Sequence, residues 1–190
     1  MNYNQKGFEK LKYGFSYSFG FVVLLWIIAI IDLLLPIDLT TLGVYPRTLF
    51  GLIGIPLCVF LHSGFSHLAS NSLPLLFLMA TLIIVYPKPA FPAMLFMVLY
   101  ANILVWFFGR PAYHIGASGL VYSLVAFLIA AGYFKRRPLF AIIAFIIAIV
   151  YGGLIWGVVP GLVGWYISWE SHLFGAIVGV YLAHFYKKDL

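Results

Sequence analysis

The chain has 190 residues, 64% of them hydrophobic and 8% charged, with a mean hydropathy of +1.08. Soluble globular domains run at about 45–50% apolar and about 25% charged, so this composition excludes a soluble enzyme, a disordered chain and a secreted disulfide scaffold. The formal charge of +6 comes from basic residues between apolar runs, with no basic-aromatic patch. That pattern sets membrane topology and argues against nucleic acid as a partner.

Residues 1–14 are polar and basic, with Lys6, Lys10 and Lys12. The apolar run 19–35 is longer than a signal-peptide core and lacks a small-residue cleavage site, so it reads as a retained span. Asp32 falls near its outer end, and Pro36, Asp38 and Pro46 mark a loop. Residues 49–62 are apolar but only about 14 long. They contain Gly51, Gly54 and Pro56. That reads as a re-entrant or interfacial element inside a long first loop rather than a span. Cys58 within it has no cysteine partner and reads as a small core residue.

Five further apolar runs follow, at 67–86, 91–108, 116–134, 139–159 and 172–186. Pro87 and Pro89, Arg110 and Pro111, Arg136 to Pro138, and Gly157, Gly161 and Gly164 punctuate them. The expectation is an all-α, polytopic membrane protein: six transmembrane helices forming one domain over residues 1–190. Six spans of about 20 residues use about 120 and leave no room for a second domain.

With the N-terminus inside, the inner segments hold Lys6, Lys10, Lys12, Lys88, Lys135, Arg136, Arg137, Lys187 and Lys188; the outer ones hold Arg47 and Arg110. The positive-inside rule then places both termini in the cytoplasm. A seven-span arrangement, with 49–62 crossing, would put Lys88, the Lys135 cluster and the C-terminal lysines opposite the N-terminal ones.

This topology runs the second, fourth and sixth spans from outside to inside. His67 and Asn71 open the second, Gly116-Ala117-Ser118-Gly119 opens the fourth, and His172 opens the sixth. Polar groups inside a membrane protein face its interior or a wet cavity and mark function. Two histidines, an amide and a serine at one depth fit an acyl-transfer site. A serine hydroxyl needs a base, and histidine titrates near neutrality. The developing oxyanion needs fixed donors; His67 and Asn71, four apart, share a helix face. Ser118 at a helix start lies beside free backbone N–H groups. Gly175 and Gly179 form a small-residue face that lets the sixth span approach the fourth near Gly119. Tyr122, one turn below Ser118, is placed to stack on the imidazole.

Each feature alone has a plainer reading. A GASG stretch and a GxxxG pair are common packing devices in membrane helices, an interfacial histidine is often structural, and an asparagine can simply bridge helices. The combination carries the argument, because four placements agree in depth. His62 reads as a structural tie for the loop. His114, four residues before Ser118, is the rival base, provided its loop folds back. Glu170 is expected in the outer loop and His184 at the cytoplasmic end. Leu120 breaks the GxSxG pattern, so the nucleophile elbow of α/β-hydrolases does not apply. No zinc motif appears, and the chemistry requires neither metal nor organic cofactor.

On these residues the chain resembles the rhomboid intramembrane serine proteases. It carries the pattern H-x4-H-x3-N at His62, His67 and Asn71, GxSGxxY at Gly116, Ser118, Gly119 and Tyr122, and HxxGxxxG at His172, Gly175 and Gly179. The resemblance implies a Ser118–His172 catalytic dyad without an aspartate. It also implies an oxyanion hole of His67, Asn71 and the Ser118 backbone N–H, with Tyr122 stacked under the histidine. It further implies a membrane-embedded first loop and a lateral gate at the fifth span. Its partners would be transmembrane protein substrates and lipid, its location a bacterial inner membrane, and its form the minimal six-span one. One departure is that Arg47 lacks the adjacent tryptophan many bacterial members carry in the first loop. Two other readings stay open: a catalytically silent relative that binds membrane clients, and a small transporter or channel. The latter would show charged mid-membrane residues and repeat symmetry.

Overall fold

The structure is a computed structural model that describes residues 3–190. Its helices in chain order are α1 (Tyr3–Leu34), the short α2 (Gly54–Leu57), α3 (Phe65–Val85), α4 (Ala90–Phe108), α5 (Ser118–Lys135), α6 (Pro138–Tyr151) and α7 (Trp169–Phe185). Among the described residues the regular structure is all helical apart from an isolated two-residue bridge between Val44 and His114. Among the described residues, five segments are long and apolar enough to cross a membrane: 7–34, 65–85, 90–108, 118–135, and α6 with its continuation to Val158. The protein is therefore an integral membrane protein. The sixth expected span, α7, is 17 residues long, about 25 Å at 1.5 Å per residue.

The first helix starts earlier than the hydropathy suggests. α1 is helical from Tyr3 through the lysine-bearing segment, because Glu, Lys and Leu favour helix whatever their hydropathy. α6 ends as an α-helix at Tyr151 and tightens into a 3-10 segment over Gly152–Val158. Runs of that kind beyond three or four residues are uncommon.

α5 lies at the centre, packed on α7, α6, α3 and α4. Its buried Leu120, Val121, Leu124, Phe127, Leu128 and Ala131 join Leu68, Leu75, Leu78 and Leu82 of α3 in one core. Where α5 meets α7, a Cβ at Gly175 would strike the Gly119 carbonyl and one at Gly179 would strike the Ser123 carbonyl. Only backbone fits there, as small-residue packing requires. The Ser123 hydroxyl lies within hydrogen-bond distance of the carbonyls of Gly119 and Gly175, at 2.9 and 2.8 Å.

The first loop is built of short helical turns at Leu39–Leu42, Phe50–Leu52, Gly54–Leu57 and Cys58–Phe60, as expected of a non-spanning element. Its anchor replaces the missing tryptophan neighbour with one from α4. The Trp106 indole donates to the Thr48 carbonyl at 2.8 Å, and Arg47 donates to the carbonyls of Gly109 and Phe107 at 2.8 and 3.2 Å.

Candidate active site

Ser118 is the first residue of α5 and His172 the fourth of α7. The tight α5–α7 crossing brings His172 Nε2 to 2.8 Å from Ser118 Oγ. His172 Nδ1 lies 2.9 Å from the Gly157 carbonyl oxygen. A carbonyl only accepts, so Nδ1 carries the proton and Nε2 is left to accept from the serine hydroxyl. The Tyr122 ring stacks on the imidazole at 4.2 Å between centroids and 6° between planes. Its hydroxyl donates to the Leu154 carbonyl at 2.8 Å. The 3-10 segment after α6 thus supplies both acceptors. No residue type marks a backbone carbonyl, and Gly157 read only as punctuation in the sequence. Its role there is steric as well: a Cβ would overlap the Tyr122 hydroxyl and lie 3.2 Å from His172 Nδ1.

His67 is the third residue of α3, and its half-buried ring lies over Gly116. A Cβ at Gly116 would sit 2.7 and 2.8 Å from the ring's Cε1 and Nε2. The backbone there has φ +107°, a second reason for glycine. Nδ1 of His67 is 3.3 Å from the Ser63 hydroxyl; where the serine donates, Nε2–H is a free donor. Asn71, one turn further and buried, gives one amide N–H to the His67 carbonyl at 3.0 Å and keeps a second. Hydrogen bonding within α5 begins with the Val121 N–H on the Ala117 carbonyl. The N–H groups of Ser118, Gly119 and Leu120 therefore have no acceptor inside the helix.

The remaining histidines sort by their partners. His62 is buried, its Nε2 accepts from the Ala117 N–H at 3.4 Å, and its ring meets that of His67 edge-on. It ties the first loop to the segment before Ser118. Burial, with the neighbouring His67, pushes its pKa down to about 4. His114 does not turn toward Ser118. Its Nε2 donates to the Arg110 carbonyl at 3.0 Å, and its Nδ1 meets the Ser168 hydroxyl. Both ring nitrogens are committed to holding loops together, and burial lowers the pKa. His184 lies at the far end of α7.

Glu170 departs from the expectation of an outer-loop residue. α7 begins at Trp169, so Glu170 is in its first turn, 2% exposed and paired with Arg110. The sequence carried a signal for this. Ser168 precedes the acid and accepts from the Ser171 N–H at 3.3 Å. A serine cap followed by an acid in the first turn is a helix start.

Residues 49–188 match the model of the rhomboid domain. The chain belongs to the rhomboid family. Rhomboid relatives include uncharacterized proteins of Mycobacterium tuberculosis and Mycobacterium bovis, each 33% identical over 172 residues, covering 86% of this chain and 71% of theirs. An uncharacterized protein of Mycobacterium leprae is 34% identical over 180 residues, covering 86% of this chain and 68% of its own. Membership supports a function within a family of intramembrane proteases, in which inactive members also occur.

Proposed function

We propose that this rhomboid protein is an intramembrane serine endopeptidase working through a Ser118–His172 dyad. The observation that carries the reading is the 2.8 Å contact from His172 Nε2 to Ser118 Oγ, with Nδ1 held by the Gly157 carbonyl. An inactive, client-binding relative has no need of a serine aligned on a histidine of the correct tautomer.

In the reaction, Ser118 Oγ attacks the scissile carbonyl carbon while His172 Nε2 takes its proton. The Gly157 carbonyl accepts from Nδ1 throughout and stabilises the imidazolium, the part an aspartate plays in a triad. The tetrahedral oxyanion accepts from the Ser118 N–H, the second Asn71 N–H and His67 Nε2–H. His172 returns the proton to the leaving amine, and the acyl-enzyme forms. Water, activated by the same imidazole, then hydrolyses the ester and frees Ser118. Apart from the Gly157 carbonyl, in the segment after α6, all these groups lie in the first two turns of α3, α5 and α7. With cytoplasmic termini, that end faces outward, and water reaches it from the outer side of a bacterial inner membrane. Substrates are transmembrane proteins cut near the outer end of their spans. They unwind locally there, because a regular helix hides its carbonyls in hydrogen bonds, and no cofactor takes part.

The test is labelling of the purified protein by a fluorophosphonate, beside Ser118→Ala and His172→Ala. Labelling of the parent that vanishes in both variants is expected. A folded parent that never labels would transfer the assignment to the client-binding reading.

A further inference from the structure

The part-exposed Arg110 and the buried Glu170 form a link that the chemistry above does not use. Glu170 Oε1 accepts from the Arg110 backbone N–H at 3.2 Å and lies 3.7 Å from its Nε. The same guanidinium donates through Nη2 to the carbonyls of Ile167 and Trp165, at 2.7 and 2.9 Å. The Arg110 carbonyl accepts from His114, whose other nitrogen meets Ser168, the cap of α7. Glu170 Oε2 is buried without a partner among the described residues.

Stability alone is a poor account of such a pair. An ion pair with a buried member is often matched or bettered by apolar residues of the same volume, and this one leaves a buried acceptor unfilled. Its placement is what distinguishes it. Arg110 opens the segment that runs into Ser118, and Glu170 stands two residues before His172. The link therefore joins the two pieces of chain that carry the reacting atoms. Packing at Gly119, Gly175 and Gly179 sets how close α5 and α7 come. Apolar contact is non-directional and resists sliding or rotation weakly; the directional bonds of the Arg110 N–H to Glu170 and of the guanidinium to the Ile167 and Trp165 carbonyls resist both.

We infer that Glu170, gripped by Arg110, is a positioning residue that fixes the first turn of α7 against the entry to α5 and so holds His172 on Ser118. It touches no substrate and acts through the geometry of the dyad. The inference rests on the reading of Ser118 as nucleophile.

The experiment measures fluorophosphonate inactivation over a range of concentrations, separating the maximal rate from the half-saturating concentration. Parent, Glu170→Gln and Glu170→Asp are compared, with monodispersity and thermal unfolding followed in parallel. Gln keeps the shape and loses the charge; Asp keeps the charge one methylene back. A displacement of about 1 Å costs on the order of 100-fold. The Gln variant is expected to lose about 10- to 100-fold in maximal rate at an unchanged half-saturating concentration, with Asp between it and the parent. A folded Gln variant reacting at the parent's maximal rate overturns the inference and leaves the nucleophile standing. So do losses equal in both variants that track the melting temperature, which mark a merely structural pair. If the Gln variant does not fold, Asp carries the test: a lowered maximal rate at the parent's melting temperature supports positioning, and an unchanged rate overturns it. A parent that never reacts removes the nucleophile and the inference together.

Discussion

Gly175→Ala probes the α5–α7 crossing with one methyl group. The added carbon would overlap the Gly119 carbonyl oxygen and lie 3.1 Å from its carbon and 3.2 Å from Ser123 Oγ. Carbon atoms rest at about 3.5–4.0 Å, and the obstacle is backbone with no rotamer to escape into. The helices must therefore part by about 0.5–1 Å. Overpacking of this kind costs about 1–3 kcal/mol. The strained Ser123 bond adds up to about 1 kcal/mol, and the gain in helix propensity from glycine to alanine returns about 1. The net is a loss of about 0–3 kcal/mol. The same parting stretches the 2.8 Å contact between His172 and Ser118 beyond about 3.3 Å, outside good hydrogen-bond geometry. Labelling should fall by about 10- to 100-fold. Gly20→Ala is the control, since a Cβ there meets nothing within 4 Å; it should leave labelling unchanged. Labelling kinetics and thermal unfolding of the two variants read both quantities. If Gly175→Ala labels at the parent's rate, the claim that this crossing sets the dyad is wrong.

Tyr122→Phe keeps the ring on His172 and removes the hydroxyl that donates to the Leu154 carbonyl; losing about 1 kcal/mol of tether should slow labelling by about fivefold. Arg47→Ala strips the donors on the Gly109 and Phe107 carbonyls and should lower stability by about 1–3 kcal/mol in chemical denaturation, with labelling retained. His62 and His114 are held neutral by burial, with pKa values lowered from 6.5, His62 to about 4. The unfolded chain then binds more protons than the native one below pH 6.5. Native stability is thus complete above pH 6.5 and falls as the pH drops toward 4, by on the order of 3 kcal/mol for His62. His62→Gln, which keeps an acceptor for the Ala117 N–H, should flatten that slope in melting curves taken across this range.

The parts of the site legible in the sequence are those written within one helix turn or two. His67 with Asn71, Ser118 with Tyr122, and His172 with Gly175 and Gly179 are local patterns, and side-chain type carries each of them. Their convergence needed only the alternation of span direction. What escaped was long-range or made of backbone. The Gly157 carbonyl has no letter of its own. The Trp106–Thr48 bond joins residues 58 apart, so no spacing rule pairs Arg47 with a tryptophan from another helix. Glu170 escaped because an acid beside a polar run suggests solvent, whereas its partner lies 60 residues upstream. The start of α1 at Tyr3 escaped for a related reason: hydropathy reports where lipid begins, and the helix continues past that boundary.

The 3-10 segment that orients His172 and Tyr122 is the tail of a helix little enclosed by the others. Along α6, Leu139, Ile142, Phe145, Ile146, Ile149 and Val150 point outward, and Ala144 and Ile147 alone are buried. The Nδ1 proton of His172 is thus held by a strip of chain that also carries the exposed Ile155 and Trp156. Hydrophobic mismatch acts along the length of a spanning segment, and this strip continues the fifth one. A change of bilayer, or its replacement by detergent, is therefore expected to reach His172 through that segment, as a change in the rate of Ser118 labelling.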